Sequence, residues 1–255
     1  MLRAQNLAGT VTCFLTTCGL DRRHCSQPPH PSGVLIPCPA PGHHVRLVGP
    51  VGCDSMGDQL VAELEQCGVD TEYSFRAGAA SPRTLVLLDE TGERTIIAVD
   101  SGAGPSSFLP VRGPDLRSAD CVYIEGYTRY PAGTAAAAKS ALLMTSPPVP
   151  GATTWPATVV VGSETQYAHA TSAGMFEAVR SVSGMRLEWV VVTRGRQGAD
   201  AYASSGEVHV DAVAADQVDA TGAGDAFTVG LLHGLLQGDD MLAACKSALR
   251  GVRRQ

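Results

Sequence analysis

Apolar residues along the chain fall into short continuous runs that are separated by turn residues. Buried strands are predicted for four of these runs, Val45–Val51, Cys121–Ile124, Val159–Val161 and Trp189–Thr193. Helices are predicted for Asp58–Cys67, the alanine-rich segment Ala132–Met144 and the segment Thr221–Gln237, which opens with a glycine-rich turn. Alternation of continuously apolar strands with helices indicates an α/β fold with a mainly parallel sheet covered on both faces.

One pair of strands breaks this alternation. Thr84–Leu88 and Thr95–Val99 are rich in β-branched and apolar residues, and the turn sequence Asp89–Gly92 joins them. This pattern predicts a hairpin that forms a small sheet of its own.

The first 44 residues are harder to interpret. Leu7–Leu20 is apolar and free of acidic residues, which suits either an amphipathic core helix or a weak targeting sequence. Residues 21–44 are rich in Pro, His and Cys without periodicity, and we expect an irregular insertion there. The proline-rich segment Thr145–Ala157 is expected to be a loop.

Composition limits the class of protein. The chain has 255 residues, 44% of them hydrophobic, and a formal net charge of −6. These values suit a single domain over residues 1–255, exclude whole-chain disorder and argue against a nucleic-acid partner. No apolar run of about 18 residues is present, so no membrane partner is expected. The predicted location is cytoplasmic, with an organelle as the alternative because of the acid-free N-terminus.

The eight cysteines are scattered and lack the short paired spacings of a zinc site. We expect free thiols in a reducing compartment.

The most informative stretch is Asp219–Asp225, which leads directly into the last predicted helix. Glycines before a helix let several N–H groups point at one spot, and the helix dipole adds positive potential there. Asp225 at the same helix start can accept a proton from a hydroxyl group. An anion hole beside a base suits phosphoryl transfer to an alcohol, although an ordinary helix N-terminus explains the same spacing.

This stretch resembles the D-T-x-G-A-G-D signature of the ribokinase-like (PfkB) sugar kinases, nearest to ketohexokinase and ribokinase. It departs from the signature where Ala220 precedes Thr221. Four further stretches resemble family motifs in the family's order, namely Leu47–Gly57, Gly92–Thr95, Val122–Gly126 and Thr193–Gly198. The resemblance implies a three-layer α/β/α fold with a small β lid at about residues 71–102.

The resemblance also implies roles for individual residues. Asp225 would be the catalytic base, and the backbone N–H groups of Gly222, Ala223 and Gly224 would hold the γ-phosphoryl charge. Nucleotide contacts are implied for Thr193, Gly195, Gly198, Asp219 and Thr221, and sugar contacts for Asn6 and Glu125. ATP and Mg²⁺ are the implied cofactors, with Glu164 near the metal and Asp219 near a monovalent cation such as K⁺.

The sequence departs from the family pattern at three places. Ser163 and Gln166 stand where the family's N-x-x-E motif has Asn and Glu. The opening strand with its substrate-binding Asp and glycine pair is absent if Leu7–Leu20 is a helix. The family's closing helix and strand would lie beyond Gln255. We therefore expect either a chain truncated at both ends or a degenerate relative.

The predicted function is ATP-dependent phosphorylation of a small sugar of the ribose or ketohexose class. An adenosine-type nucleoside kinase and a non-catalytic relative that only binds nucleotide are the alternatives. A homodimer through the lid is the expected assembly.

Overall fold

The computed structural model of the chain describes residues 10–14, 43–76, 80–81, 83–88, 94–99, 116–125, 138, 141–148, 151–167, 174–214 and 222–252. Among these residues, no helix is both long and apolar enough to cross a membrane.

A central sheet of eight strands organises the described residues, in the order β12-β11-β10-β9-β8-β7-β1-β2. Six neighbouring strands are parallel: β1 (Thr10–Phe14), β2 (His44–Val48), β7 (Cys121–Ile124), β8 (Leu142–Thr145), β9 (Val159–Ser163) and β10 (Trp189–Thr193). At one edge the sheet continues with two antiparallel strands, β11 (Ala199–Ala203) and β12 (Gly206–Val210). The predicted mainly parallel sheet is confirmed.

Four described helices cover the sheet: α1 (Ser55–Gln66), α2 (Met175–Ser183), α3 (Ala223–Leu236) and α4 (Met241–Val252). Successive side chains of β10 point to opposite faces of the central sheet. Val191 joins a core that contains apolar residues of α1, α3 and α4, whereas Val190 and Val192 join a core with α2. Because strand side chains alternate between faces, the continuous Val run of β10 is buried on both sides. The layers are therefore α/β/α, as the resemblance implies.

Two small sheets stand apart from the central one. β5 (Arg83–Leu88) and β6 (Arg94–Val99) form the predicted antiparallel hairpin. The short strands β3 (Pro50–Val51) and β4 (Phe75–Arg76) pair in parallel. The predicted strand Val45–Val51 is thus two strands, because β3 leaves the central sheet after Gly49 to pair with β4.

The prediction for the N-terminus is wrong. Thr10–Phe14, inside the predicted helix Leu7–Leu20, is a strand that pairs in parallel with both β7 and β2. The segment reads TVTCF, and its β-branched and aromatic residues favour a strand, which outweighs the apparent helical pattern. The sheet therefore has the strand that the sequence analysis expects to be absent. Asn6 lies outside the described residues, as does most of the predicted insertion 21–44, whose last residue, His44, begins β2.

The prediction of an alanine-rich helix over Ala132–Met144 is also wrong, at the C-terminal end of the segment. Leu142–Thr145 is β8, paired with β7 on one side and β9 on the other. Leu143 and Met144 are completely buried, so tertiary packing between two strands overrides the helical propensity of this segment. Thr145, expected in a loop, is the last residue of the strand.

Small residues hold α3 closely against α4. A Cβ atom on Gly230 would lie 2.7 Å from Cα of Ala248, and one on Gly234 would lie 2.9 Å from Cα of Ala244. Real Cβ atoms do not approach other heavy atoms so closely, so the two helices depend on glycine at these contacts.

We expect Gly230→Ala to lower the free energy of unfolding by about 1 to 3 kcal/mol, because the helices must separate to admit the methyl group. Gly251→Ala in α4 is the matched control, since no heavy atom of the described residues lies within 4 Å of its added Cβ. Helix propensity alone predicts that the control is neutral or more stable by up to about 1 kcal/mol. Urea unfolding measures both, and equal effects would contradict the close-packing argument.

Candidate active site

The carboxyl ends of the parallel strands meet at one edge of the sheet. Glu125 follows β7 directly, Ser163 ends β9 and Thr193 ends β10, where Ser163 and Thr193 are paired in register. Ligands of open α/β sheets bind at this edge. The topology therefore places the implied sugar residue Glu125 and the implied nucleotide element Thr193–Gly198 on the same side of the molecule.

The N-terminus of α3 supplies backbone N–H groups that have no acceptor within the helix. Gly222 caps the helix with a left-handed φ of +76°, and Ala226 N–H donates the first intrahelical bond to Gly222 O at 2.8 Å. The preceding N–H groups, which belong to Ala223, Gly224 and Asp225, have no intrahelical acceptor. Among the described residues, no heavy atom lies within 4 Å of a Cβ placed on Gly222 or Gly224. Space beside these two glycines is thus open among the described residues, and the N-terminus of a helix favours an anion.

Asp225 lies in the first turn of α3, half-buried, and interacts electrostatically with Glu125. Burial raises the pKa of Glu125 to about 7, and the negative charge of Asp225 adds to this increase. The structure thus couples the charges of two carboxyl groups that lie 100 positions apart in the chain. Glu125 can therefore gain or lose a proton near neutral pH.

The implied nucleotide element is a tight turn. Gly195 and Gly198 have φ angles of +55° and +94°, which favour glycine. Gly198 packs against Val210 O, whereas space is open at the Cβ position of Gly195 among the described residues. Gly195 is therefore the point of this turn that a ligand can approach. The other two implied nucleotide residues, Asp219 and Thr221, lie outside the described residues.

Glu164 begins a short 3-10 turn after β9, and its exposed carboxylate forms an ion pair with Arg194. Arg194 also pairs with Asp200 and donates to Tyr202 Oη at 3.2 Å. These contacts raise the pKa of Arg194, so the guanidinium stays charged. Sequence reasoning missed this network, whose only signal was a charged residue inside the T-x-G-x-x-G element.

The segment Ser163–Gln166 offers little to a metal ion beyond Glu164. The amide oxygen of Gln166 accepts a hydrogen bond from Ser163 N–H at 2.8 Å, so it closes the turn on itself. Within the described ranges, no group of three or more His, Cys, Asp or Glu side chains could hold a metal ion. One carboxylate beside the nucleotide turn nevertheless fits Mg²⁺, which is usually bound through one or two carboxylates, substrate phosphates and water.

The buried charge of Glu125 has a consequence for stability. Its pKa of about 7 in the folded state exceeds the ordinary value of 4.5, so between these values the folded chain holds the proton more tightly than the unfolded chain does. Stability therefore falls as the pH rises through this window, and the full penalty is present above pH 7.

We expect Glu125→Gln to stabilise the protein by about 3 kcal/mol at pH 8, and by much less at pH 5, because the neutral amide removes the buried charge. Urea unfolding at the two pH values measures the difference. The exposed Glu188→Gln is the control and should leave the pH dependence unchanged. Equal stabilities of the wild type and Glu125→Gln at pH 8 would show that Glu125 bears no such penalty.

Comparison with known proteins agrees with this geometry. An uncharacterised sugar kinase of Archaeoglobus fulgidus is 26% identical over 216 residues, which cover 78% of this chain and 86% of that protein. An inositol 3-kinase of Zea mays is 50% identical over 62 residues, which cover 24% of this chain and 16% of that protein. The structure of Arabidopsis thaliana ribokinase complexed with ribose and ATP has a TM-score of 0.73 at 19% identity, covering 97% of this chain and 92% of that chain.

A family model supplies the assignment. The model described as pfkB family carbohydrate kinase matches residues 41–145 and 158–250. The matched residues include the strands β7, β9 and β10 and the helix α3, which together build the site described above. This chain therefore belongs to the pfkB family of carbohydrate kinases, which are phosphotransferases.

Proposed function

We propose that this chain transfers the γ-phosphoryl group of ATP to a hydroxyl group of a small sugar or polyol. The observation that carries the proposal is the position of Asp225, in the first turn of α3, where its charge acts on Glu125 and the first N–H groups of the helix have no intrahelical acceptor. One edge of the sheet would thereby offer three groups: a base, an anion hole and a second carboxyl group that could recognise a hydroxyl.

In the proposed reaction, Asp225 accepts the proton of the acceptor hydroxyl. The alcohol oxygen forms a new bond to the γ-phosphorus while the bond from that phosphorus to the β,γ-bridging oxygen breaks, and ADP leaves with the bridging oxygen. The N–H groups of Gly222, Ala223 and Gly224, reinforced by the dipole of α3, stabilise the negative charge on the transferring oxygens.

The nucleotide would lie along the Thr193–Gly198 turn. Gly195, which has open space around its Cβ position, would let the backbone approach the phosphates. Glu164 would help to hold Mg²⁺, directly or through water, and Arg194 would fix the carboxylate in place. Mg²⁺, when bound, neutralises charge on the nucleotide phosphates.

The sugar would lie against Glu125, and the β5–β6 hairpin would cover it as a lid. A carboxyl group that titrates near pH 7 can either donate to or accept from a sugar hydroxyl. Small polyhydroxylated acceptors are therefore favoured. The local identity to an inositol 3-kinase adds inositol to the ribose and ketohexose acceptors that the sequence suggests.

The proposal is tested by ADP production from Mg-ATP with ribose, fructose, 2-keto-3-deoxygluconate, inositol and adenosine. We expect turnover with a sugar or polyol, and we expect Asp225→Asn to lower kcat by about 100- to 10,000-fold, because a general base contributes about this much. Asp239→Asn, an exposed carboxylate just beyond the opposite end of α3, is the control and should retain activity.

Other outcomes of the same panel are equally informative. Turnover with adenosine alone would identify a nucleoside kinase instead. Binding of Mg-ATP without turnover of any acceptor, by folded protein, would indicate a relative that only binds nucleotide. Replacing K⁺ with Na⁺ in the active assay tests the monovalent cation that the family resemblance implies near Asp219.

We also propose that the lid hairpin joins two copies of the chain. The hairpin exposes three large apolar side chains: Leu85 (50% exposed), Leu87 (49%) and Ile97 (43%). Leu85 and Leu87 are two positions apart and therefore point to the same face of β5, and Ile97 lies on that face because it is paired with Leu85. Such a contiguous apolar face on a two-stranded sheet is favourable to bury.

We expect the protein to be a dimer in light scattering after size exclusion, and we expect Leu87→Glu to shift it toward the monomer, because the charge would be buried at the contact. Met185→Glu is the control, since Met185 is 84% exposed and lies outside the hairpin. A wild-type monomer at micromolar concentration would contradict this assembly.

A further inference from the structure

One carboxylate ties the base of the lid hairpin to the turn that precedes α1. Asp54 Oδ1 accepts hydrogen bonds from Gly57 N–H at 2.9 Å and from Ser81 Oγ at 2.6 Å. Asp54 Oδ2 accepts a third bond, from Ser81 N–H at 2.9 Å. Ser81 is 3% exposed and lies two positions before β5. Both oxygens of Asp54 therefore engage the chain at the point where it enters the hairpin.

Arg76, which ends β4 on the chain segment that leads to the hairpin, is held by the same turn. Its Nη1 donates to Gly52 O at 2.6 Å, and its Nη2 donates to Asp58 Oδ1 at 2.5 Å. The backbone of Arg76 also pairs with Val51 in the short β3–β4 sheet. Residues of the turn thus hydrogen-bond to the chain at two positions before the hairpin begins, Arg76 and Ser81.

Two glycines make these contacts sterically feasible. A Cβ on Gly52 would lie 2.7 Å from Cα of Ser81, and one on Gly57 would lie 2.7 Å from Nη1 of Arg76. Neither glycine has a positive φ angle, so close approach rather than backbone conformation requires glycine at both positions. The segment Gly52–Gly57, which resembles a family motif, is therefore shaped to receive Ser81 and Arg76.

The anchored turn lies on the edge of the sheet that carries the active site. β2, which leads into it, is parallel to β1, and β1 is parallel to β7. Their carboxyl ends consequently share one edge. Two strand spacings, about 10 Å in total, separate the end of β2 from the end of β7, where Glu125 begins.

We propose that Asp54 is a positioning residue that sets the hairpin over the acceptor sugar, in addition to capping α1. Capping a helix requires one side-chain oxygen, and here the second oxygen is committed to Ser81. The proposal rests on the kinase function proposed above, because that function assigns the hairpin its role as a lid.

The first test separates anchoring from capping. Asp54→Asn keeps an oxygen for the cap, since Asn caps as well as Asp does, but it presents N–H donors where Ser81 N–H needs an acceptor. Ser81→Ala removes the other bond and leaves the cap intact. Asp240→Asn is the matched control, because Asp240 accepts from Ala243 N–H at 2.8 Å at the start of a different helix, α4.

We expect Asp54→Asn and Ser81→Ala to speed amide hydrogen exchange in residues 83–88 and 94–99 by about tenfold, the effect of losing a charge-assisted hydrogen bond. The Asp54→Asn/Ser81→Ala double variant should show less than the product of the two effects. The control should leave exchange in the hairpin unchanged. If the amide hydrogens of the hairpin exchange at the same rate in Asp54→Asn as in Asp240→Asn, the proposal is overturned.

The second readout is kinetic. We expect Asp54→Asn to raise KM for the sugar by about tenfold while KM for ATP stays within about twofold, because the hairpin would cover the sugar and not the nucleotide. Unchanged KM for the sugar in a variant whose hairpin exchanges faster would overturn the role in positioning. If the wild type turns over no acceptor, the proposed kinase function fails and the positioning role fails with it, whereas the exchange experiment still decides whether Asp54 anchors the hairpin.

Discussion

The electrostatic interaction between two carboxyl groups, those of Glu125 and Asp225, is the constraint on which the proposed site depends. Burial and the charge of Asp225 both oppose ionisation of Glu125, so the fold must offset a cost that neither residue can avoid. The two residues come from different elements, one following β7 and the other beginning α3. Their relative positions depend on the parallel sheet, which places β7, and on the close packing of α3 against α4 at Gly230 and Gly234.

The same edge of the sheet is surrounded by polar contacts that connect distant parts of the chain. Arg194 connects Glu164, after β9, with Asp200 on β11, and Asp54 connects the start of α1 with Ser81. Each contact fixes a loop at the carboxyl edge, where binding residues need to be held in place. Strands of the sheet and loops fixed at their carboxyl ends would together orient the phosphoryl donor and the acceptor in the proposed site.

The sequence predicts part of this fold well, for physical reasons. The strands Cys121–Ile124 and Trp189–Thr193 have the predicted bounds because strands buried on both faces leave a continuous apolar run. Leu142–Thr145 follows an alanine-rich segment, and only its neighbours in the sheet make it a strand. Asp225 was found from the glycine-rich start of the last predicted helix, whereas Glu125 was found through resemblance to a family. The hydrogen bonds between Asp54 and Ser81 join residues 27 positions apart, so no local sequence pattern predicts them.

The central claim is that the N-terminus of α3 receives the phosphoryl group that is transferred. A crystal structure of the protein with Mg²⁺ and a non-hydrolysable ATP analogue tests it most directly. We expect a γ-phosphoryl oxygen within about 3 Å of the backbone nitrogen of Ala223 or Gly224, with the carboxylate of Asp225 facing the acceptor side. A nucleotide bound along Thr193–Gly198 whose γ-phosphate points away from α3, or one bound elsewhere on the molecule, would contradict the account.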